Sequence, residues 1–415
     1  MKILHINKYL YPKGGDAIVC LETGKLFASR GHDVSYWGMA NDANPDYVGK
    51  EHLLPFIDYG ENGEAAKSYK QAVGILYNRE ANRLLDNKIR KERPDIVHLH
   101  NYAHQISPSI LHVINEYKIP AVMTMHDYKL VCASYALLSD GKICDKCKNS
   151  RYYNCLLEKC VKNSRAKSLL NTIEMYLHHN IMHIYDLIDT FIAPSDFIKN
   201  KVKEMGFKGT IAHLPNFIST EEYIPKYECD ESSIVYFGRL SREKGLFTLI
   251  EAMRGIPGLT LKIVGEGPIK ENLISKAESL GLINVKFLGY KRGDALKDEI
   301  KKSMFAVVPS EWYENNPRAV IESFALGKPV VAARIGGLPE LVSDNINGIT
   351  FESGNPADLR EKIKRLMSNP ESVFEMGRNA RRYVEEELNS GEYYEKLMEI
   401  YAIVIADHGR PKGRA

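Results

Sequence analysis

The sequence predicts two doubly wound α/β domains, each a parallel sheet with helices on both faces. Three observations carry this. The chain has 415 residues, more than one hydrophobic core usually serves. Short apolar runs rich in Val and Ile recur between helix-length segments without polar alternation, as strands buried on both faces should. That strand–helix alternation is set up twice, once from residue 2 and again from residue 234. Composition agrees: 44% hydrophobic and 26% charged residues exclude a disordered, collagen-like or coiled-coil chain. No run approaches the roughly 18 apolar residues of a membrane span.

The strands are expected at Lys2–Ile6, Val34–Trp37, Ile96–Leu99, Ala121–Met125, Phe191–Ala193, Ile234–Phe237, Leu259–Val264, Val285–Leu288, Ala306–Pro309 and Val330–Ala333. Helix patterns lie between them. Leu246, Leu249, Ile250 and Met253 share one helical face, as do Leu359, Ile363, Leu366 and Met367. Residues 2–37 read strand, glycine loop (Lys13-Gly14-Gly15), helix, strand. Residues 234–264 repeat the order with Gly238-Arg239 in the loop. The two stretches share no sequence, so this is an echo of architecture rather than a repeat. Leu214-Pro-Asn-Phe-Ile-Ser219 and the polar stretch to Ser233 read as a linker, with the boundary near residue 217. The expected domains are 1–217, carrying a Cys-rich basic insertion at 140–167, and 218–385. A C-terminal helix and tail, 386–415, should pack back on the first domain and fray from His408. Loops at the carboxyl ends of the strands, facing each other across a cleft, would hold the ligand.

Charge and cysteine content narrow the function classes. The net charge is +3 from 56 basic and 53 acidic residues, which gives no argument for nucleic acid. Seven cysteines, an odd number, speak against a secreted disulfide scaffold. Met1 leads straight into a strand, with no signal-peptide pattern, so a cytoplasmic protein is expected.

Three loops that follow strands carry the chemistry. The first runs Pro309-Ser-Glu-Trp-Tyr-Glu314-Asn-Asn316-Pro317 into a helix bearing Glu322. Asn316 is expected as the N-cap and Pro317 as the first helical residue. The free N–H groups of that start form an anion site between two carboxylates. A nucleotide sugar, with a phosphate between two sets of hydroxyls, has the matching layout. The second is Gly238-Arg239-Leu-Ser-Arg-Glu-Lys244-Gly245, whose two cations can reach a departing diphosphate. The third is Gly265-Glu266-Gly267-Pro268, where glycines would let a flat base lie against the backbone. Taken singly, each loop also reads as a solvated surface turn.

Together they resemble the retaining glycosyltransferases of family 4, the group 1 enzymes of GT-B fold. Glu314-x7-Glu322 matches the family signature. So do Ala325-Leu-Gly327-Lys-Pro329-Val330, Gly336-Gly337-Leu-Pro339-Glu340, Gly238-Arg239-Leu-x3-Lys244-Gly245, Pro12-Lys-Gly14-Gly15 and Gly31-His32-Asp33-Val34. The resemblance covers nearly the whole chain. It implies two Rossmann-like domains and a UDP- or GDP-sugar donor. The acceptor would be a glycan or lipid diphosphate, in cell-surface polysaccharide or glycolipid synthesis. It places Arg239 and Lys244 on the diphosphate, Glu322 on the ribose, and Glu314 with the backbone near Asn316 on the transferred sugar. His126, at the end of Thr124-Met-His126-Asp127, would face that sugar. Gly15 would let its loop approach the phosphates or acceptor, and Gly238, Gly265, Glu266 and Pro317 would complete the donor site. No Asp-x-Asp stands in the obvious cleft loops of the first domain, so no cofactor is required for catalysis. Trp312-Tyr313 ahead of Glu314 departs from the family loop and leaves the transferred sugar open. A nucleotide-sugar 2-epimerase of the same fold, and a non-catalytic sugar-nucleotide-binding scaffold, are the alternatives.

A further constellation stands apart. Cys144-x2-Cys147-x7-Cys155-x4-Cys160 has the composition of a structural zinc knuckle. Eight basic residues between Lys142 and Lys167, against Asp145 and Glu158, suggest contact with an anionic membrane surface or a lipid-diphosphate acceptor. The expected localisation is therefore cytoplasmic and peripheral on the inner face of the membrane.

Overall fold

The computed structural model describes residues 1–58 and 69–409. The chain divides into two compact units. One comprises Met1–Leu214 together with the segment from Tyr394, and the other Pro215–Tyr393. The division falls a few residues ahead of 217, and the C-terminal segment joins the first unit from Tyr394 rather than from 386.

The first unit is built on β1 (Lys2–Ile6), β2 (Asp33–Trp37), β3 (Ile96–Leu99), β4 (Ala121–Thr124), β7 (Thr190–Ala193) and β8 (Ile211–His213). They form one sheet in the order β2-β1-β3-β4-β7-β8, and every pair is parallel. Ile3 of β1 sits between Val34 and Ile96. β1, β3, β4 and β7 are almost wholly buried, which is why they read as unbroken apolar runs. β8 was not expected: it is a three-residue edge strand whose residues are only half-buried or exposed, so it carries little hydrophobic signal. A two-strand hairpin, β5 (Leu138–Ser139) and β6 (Lys142–Ile143), opens the Cys-rich insertion.

The second unit holds β9 (Ser233–Phe237), β10 (Thr260–Val264), β11 (Val285–Phe287), β12 (Phe305–Val308), β13 (Val330–Ala333) and β14 (Gly348–Phe351). Its sheet is again parallel, in the order β11-β10-β9-β12-β13-β14. One apolar core joins these strands to the helices Leu246–Ala252, Arg318–Ala325 and Pro356–Met367. In each unit the strand order reverses at one place, between β1 and β3 and between β9 and β12. Such switch points open a crevice at the carboxyl ends of the strands.

A helix runs from Arg165 to Met175, its start capped by the Ser164 hydroxyl. It passes into a π-helical stretch, Tyr176–Ile181, and ends before His183, whose φ of +49° is left-handed. The last helix runs Ser390–Asp407. Its Tyr394 packs on Phe27 and its Tyr401 reaches His98. The tail does not come loose at His408, because His408 Nδ1 meets Asp189 Oδ2 at 3.0 Å. The rest of the expected fraying, 410–415, lies outside the described residues.

Candidate functional site

The switch point of the second unit gathers the loops after β9 and β12. They are locked together by backbone. Gly245 has φ +69°, and a Cβ there would meet the Pro309 carbonyl oxygen at 1.8 Å, so no other residue fits. Glu311 N–H donates to the Glu243 carbonyl and Gly337 N–H to the Glu314 carbonyl. The loop after β10 joins in the same manner. Gly265, at φ +147°, lies so close to Gly238 that a Cβ would stand 1.9 Å from the Gly238 carbonyl oxygen. That close packing ties the loop after β10 to the loop after β9.

On this frame sits a compact charged group. Glu314 is buried, and its Oε1 accepts from Lys244 Nζ at 2.7 Å and from Ser310 Oγ at 2.6 Å. Burial pushes the Glu314 carboxyl upward. The Lys244 charge, the hydrogen bonds from Lys244 and Ser310 and the neighbouring Trp312 indole outweigh it and hold the group below the usual glutamate value. Lys244 Nζ also lies 5.0 Å from the centroid of the Trp312 ring, a cation–π distance. Arg239 is exposed on a loop held by Tyr236, whose hydroxyl donates to the Arg239 carbonyl at 2.8 Å.

The structure brings Lys244 and Glu314 into contact. Glu322 is on the following helix with Arg318 Nε 3.2 Å away. Glu266 is exposed and paired with Lys270 Nζ at 2.8 Å. The expected cap is corrected. Pro317 holds the cap position with extended backbone, and Arg318 is the first helical residue. Asn316 is buried and turned away: its Oδ1 accepts from Asn216 N–H at 3.1 Å and its carbonyl from Asn216 Nδ2 at 3.0 Å. Ser310, Trp312 and Asn216 were not singled out for these roles. The polar Pro309-Ser310 step directly after a buried strand was the available signal for Ser310.

In the first unit Gly15 opens the helix Gly15–Ser29, with open space where its Cβ would stand. His126 follows β4, and burial pulls its pKa down to about 4. Its Nε2 lies 3.0 Å from His100 Nδ1. The two rings line a pocket with Asn101, Asp127, Lys129 and Tyr185. Behind it Lys129 Nζ and Glu174 Oε2 form a buried ion pair at 2.7 Å.

Cys144, Cys147, Cys155 and Cys160 are reduced and lie in one region, with Cys132 close enough to affect three of them electrostatically. Burial pushes Cys147 up to about 12, while a hydrogen bond from Cys155 brings Cys160 to about 7. Among the described residues, no three of these sulfurs lie within 4.8 Å of one another. Side-chain rotation would be needed before they could converge on a metal.

Two six-stranded parallel Rossmann-like units, each with a switch point in its strand order, define the GT-B fold. Solved structures of that architecture match it over almost the whole chain. Sucrose-phosphate synthase from Thermosynechococcus elongatus gives a TM-score of 0.73 at 18% identity, covering 98% of this chain and 99% of that one. The HepE protein of Anabaena, solved with UDP and glucose, gives 0.68 at 17% identity, covering 97% and 99%. The profile described as Glycosyltransferase Family 4 matches residues 13–222, and that described as Glycosyl transferases group 1 matches residues 220–383. The chain belongs to this family of glycosyltransferases. Among its relatives is an uncharacterized glycosyltransferase of Methanocaldococcus jannaschii, 27% identical over 80% of this chain and 84% of that protein.

Proposed function

We propose that this glycosyltransferase moves a sugar, with retention of configuration, from a nucleoside-diphosphate donor to a glycan or lipid-linked acceptor in cell-surface polysaccharide or glycolipid synthesis. The observation that carries the reading is the Lys244–Glu314 contact at 2.7 Å. Unliganded, the cation and carboxylate neutralise each other. A donor diphosphate competes for Lys244 and adds Arg239 as a second cation, which stabilises the departing phosphate. Glu314 is then released to accept hydrogen bonds from hydroxyls of the transferred sugar. Because Glu314 is held below the usual glutamate range, it acts as an acceptor and not as a proton donor at neutral pH. Glu322 takes the ribose and the start of the helix Arg318–Ala325 faces the phosphate. The protein's own cations replace a divalent metal. A uridine donor is favoured over guanosine, since the HepE structures were solved with UDP or UDP-glucose.

The lipid-linked acceptor is supported by the insertion. No helix among the described residues is long and apolar enough to cross a membrane. Among the described residues, Lys142, Arg151, Lys159, Arg165 and Lys167 have no ion-pair partner, whereas Lys146 pairs with Glu158 and Lys148 with Glu204. Tyr153 and Leu157 stand exposed among them. This composition suits an anionic bilayer surface on the cytoplasmic side.

The test is a panel of UDP- and GDP-sugars with a lipid-diphosphate acceptor, reading free nucleoside diphosphate and the anomeric configuration of the product. Acceptor-dependent release with retention supports the reading. Donor converted to its epimer without acceptor would establish the 2-epimerase instead.

A further inference from the structure

Half-buried His126 is the outer end of a row whose other imidazoles, His100 and His5, are fully buried. His126 Nε2 lies 3.0 Å from His100 Nδ1, and His100 Nε2 lies 3.4 Å from His5 Nδ1. The row stops at His5 Nε2, which is buried and has no hydrogen-bond partner. His98 lies alongside, with Nδ1 on the Tyr401 hydroxyl at 2.7 Å and Nε2 on the Thr124 hydroxyl at 2.8 Å. The ligand atoms of His5, His98 and His100 fall within 4.8 Å of one another, yet the group is not built for a metal. Imidazole lone pairs lie in the ring plane. The His98 and His100 rings stack at 4.4 Å with 20° between their planes, so their lone pairs run side by side and do not converge. Both His98 nitrogens are already occupied.

The rings are neutral at physiological pH. Burial pulls His5 down to about 3 and His126 to about 4, and holds His98 and His100 well below the ordinary range. The charged group felt by His126 is Asp16, while His100 faces only His98, His126 and His5. A neutral imidazole has one N–H and one acceptor nitrogen. In a row of three, each link needs one of each, so the choice at one end fixes the others. A buried N–H with no acceptor forfeits a strong hydrogen bond, and such donors are the rarer kind of orphan. His5 therefore keeps its proton on Nδ1 and donates to His100 Nε2. His100 then carries its proton on Nδ1 and donates to His126 Nε2. His126 is left with its N–H on Nδ1, beside the pocket it lines.

We propose that His100, set by His5, is a positioning residue that locks His126 as the Nδ1–H tautomer, so that His126 offers a hydrogen-bond donor, not a base, to an oxygen-rich ligand. Only the ligand's identity as the transferred sugar rests on the function proposed above. The experiment is long-range 1H–15N correlation on the full chain labelled with 15N-histidine, near pH 7.5, with His126 assigned from a His126→Asn variant. The expected result is a protonated Nδ1 and an unprotonated Nε2 on His126. His100→Asn, whose amide keeps a donor near the Nδ1 position, should preserve that pattern and most of the turnover. His100→Leu and His5→Phe should convert it to a mixture of tautomers, and His100→Leu should lower turnover about tenfold. A His126 Nε2–H in the wild-type protein, which needs no variant to fold, overturns the inference, as does an unchanged tautomer in folded His100→Leu. Wild-type protein with the expected tautomer but no transfer from any donor contradicts the glycosyl-transfer reading and upholds the tautomer.

Discussion

At the carboxyl ends of β9 and β12 the side chains are charged and paired, Lys244 against Glu314. At the carboxyl ends of β3 and β4 they are neutral and linked, His100 against His126. The strand order reverses beside both places, and each group pairs a buried residue, Glu314 or His100, with a half-buried one, Lys244 or His126. What separates them is company. Glu314 has a cation and a hydroxyl within 2.7 Å, which outweigh the effect of burial and keep it ionised. His100 and His126 have only other imidazoles and a distant carboxylate, so burial wins and keeps them uncharged. The lesson is that desolvation sets a direction, and the partner decides whether the charge survives it. Under the proposed function the division is useful: charge serves the diphosphate and neutral donors serve the sugar.

The strongest blow to this contrast would come from the cations. Lys244→Ala and Arg239→Ala should each lower turnover about 10²-fold or more, the scale of losing one preorganised charge-stabilising group. Near-wild-type turnover in both would remove the diphosphate from the charged half. Acid stability separates the halves next. The histidines bind no proton when folded but do when unfolded, below their ordinary value of 6.5. Stability should therefore fall as pH drops from about 6.5 toward 4. Glu314 shifts in the same direction, its folded value being depressed, but its window lies lower on the pH scale. Its contribution is complete above the ordinary 4.5 and is lost as pH falls through the depressed value. Melting curves from pH 7 to 3 should show both windows. His5→Phe should flatten the upper one and Glu314→Gln the lower; the same profile in both variants would erase the distinction.

Smaller effects sharpen the periphery. EDTA should leave transfer within about twofold of untreated enzyme, because the cleft cations come from the protein. Abolition with rescue by Mg²⁺ or Mn²⁺ contradicts this. Metal analysis of the purified protein addresses the cysteines separately, and under about half an equivalent of zinc per chain counts against a four-thiolate site. The least effect is expected at the insertion. Lys142→Ser with Arg151→Ser should reduce cosedimentation with anionic vesicles by severalfold at low salt, at about 1 kcal/mol per basic residue near the surface. Absence of binding at any salt would leave the segment a solvated face.

The fold was legible because its strands are buried on both faces, so β1, β3 and β13 could be bounded to the residue. β8 and β14 were not: β8 is a poorly buried edge strand that needs no apolar run, and β14, though buried, is a four-residue Gly-Ile-Thr-Phe run with little apolar signal. In the site, Lys244 and Glu314 were legible as residues that follow strands, but their contact was not: it depends on Gly245 letting two loops touch. Asn316 was misread because Asn-Pro ahead of a helix suggests a cap, while its actual partner, Asn216, is 100 residues away in sequence. The histidine row was invisible for the same reason, since His5, His100 and His126 meet only when β1, β3 and β4 pair.

The exchange of Lys244 from Glu314 to a diphosphate is the centre of the account, and titration of UDP into the wild-type protein, Lys244→Ala and Glu314→Gln tests it most directly. UDP has no sugar for Glu314 to hold, so the carboxylate is only a competitor for Lys244. The account predicts that Lys244→Ala weakens UDP binding at least tenfold while Glu314→Gln leaves it unchanged or tighter. Equal weakening in both variants would contradict it.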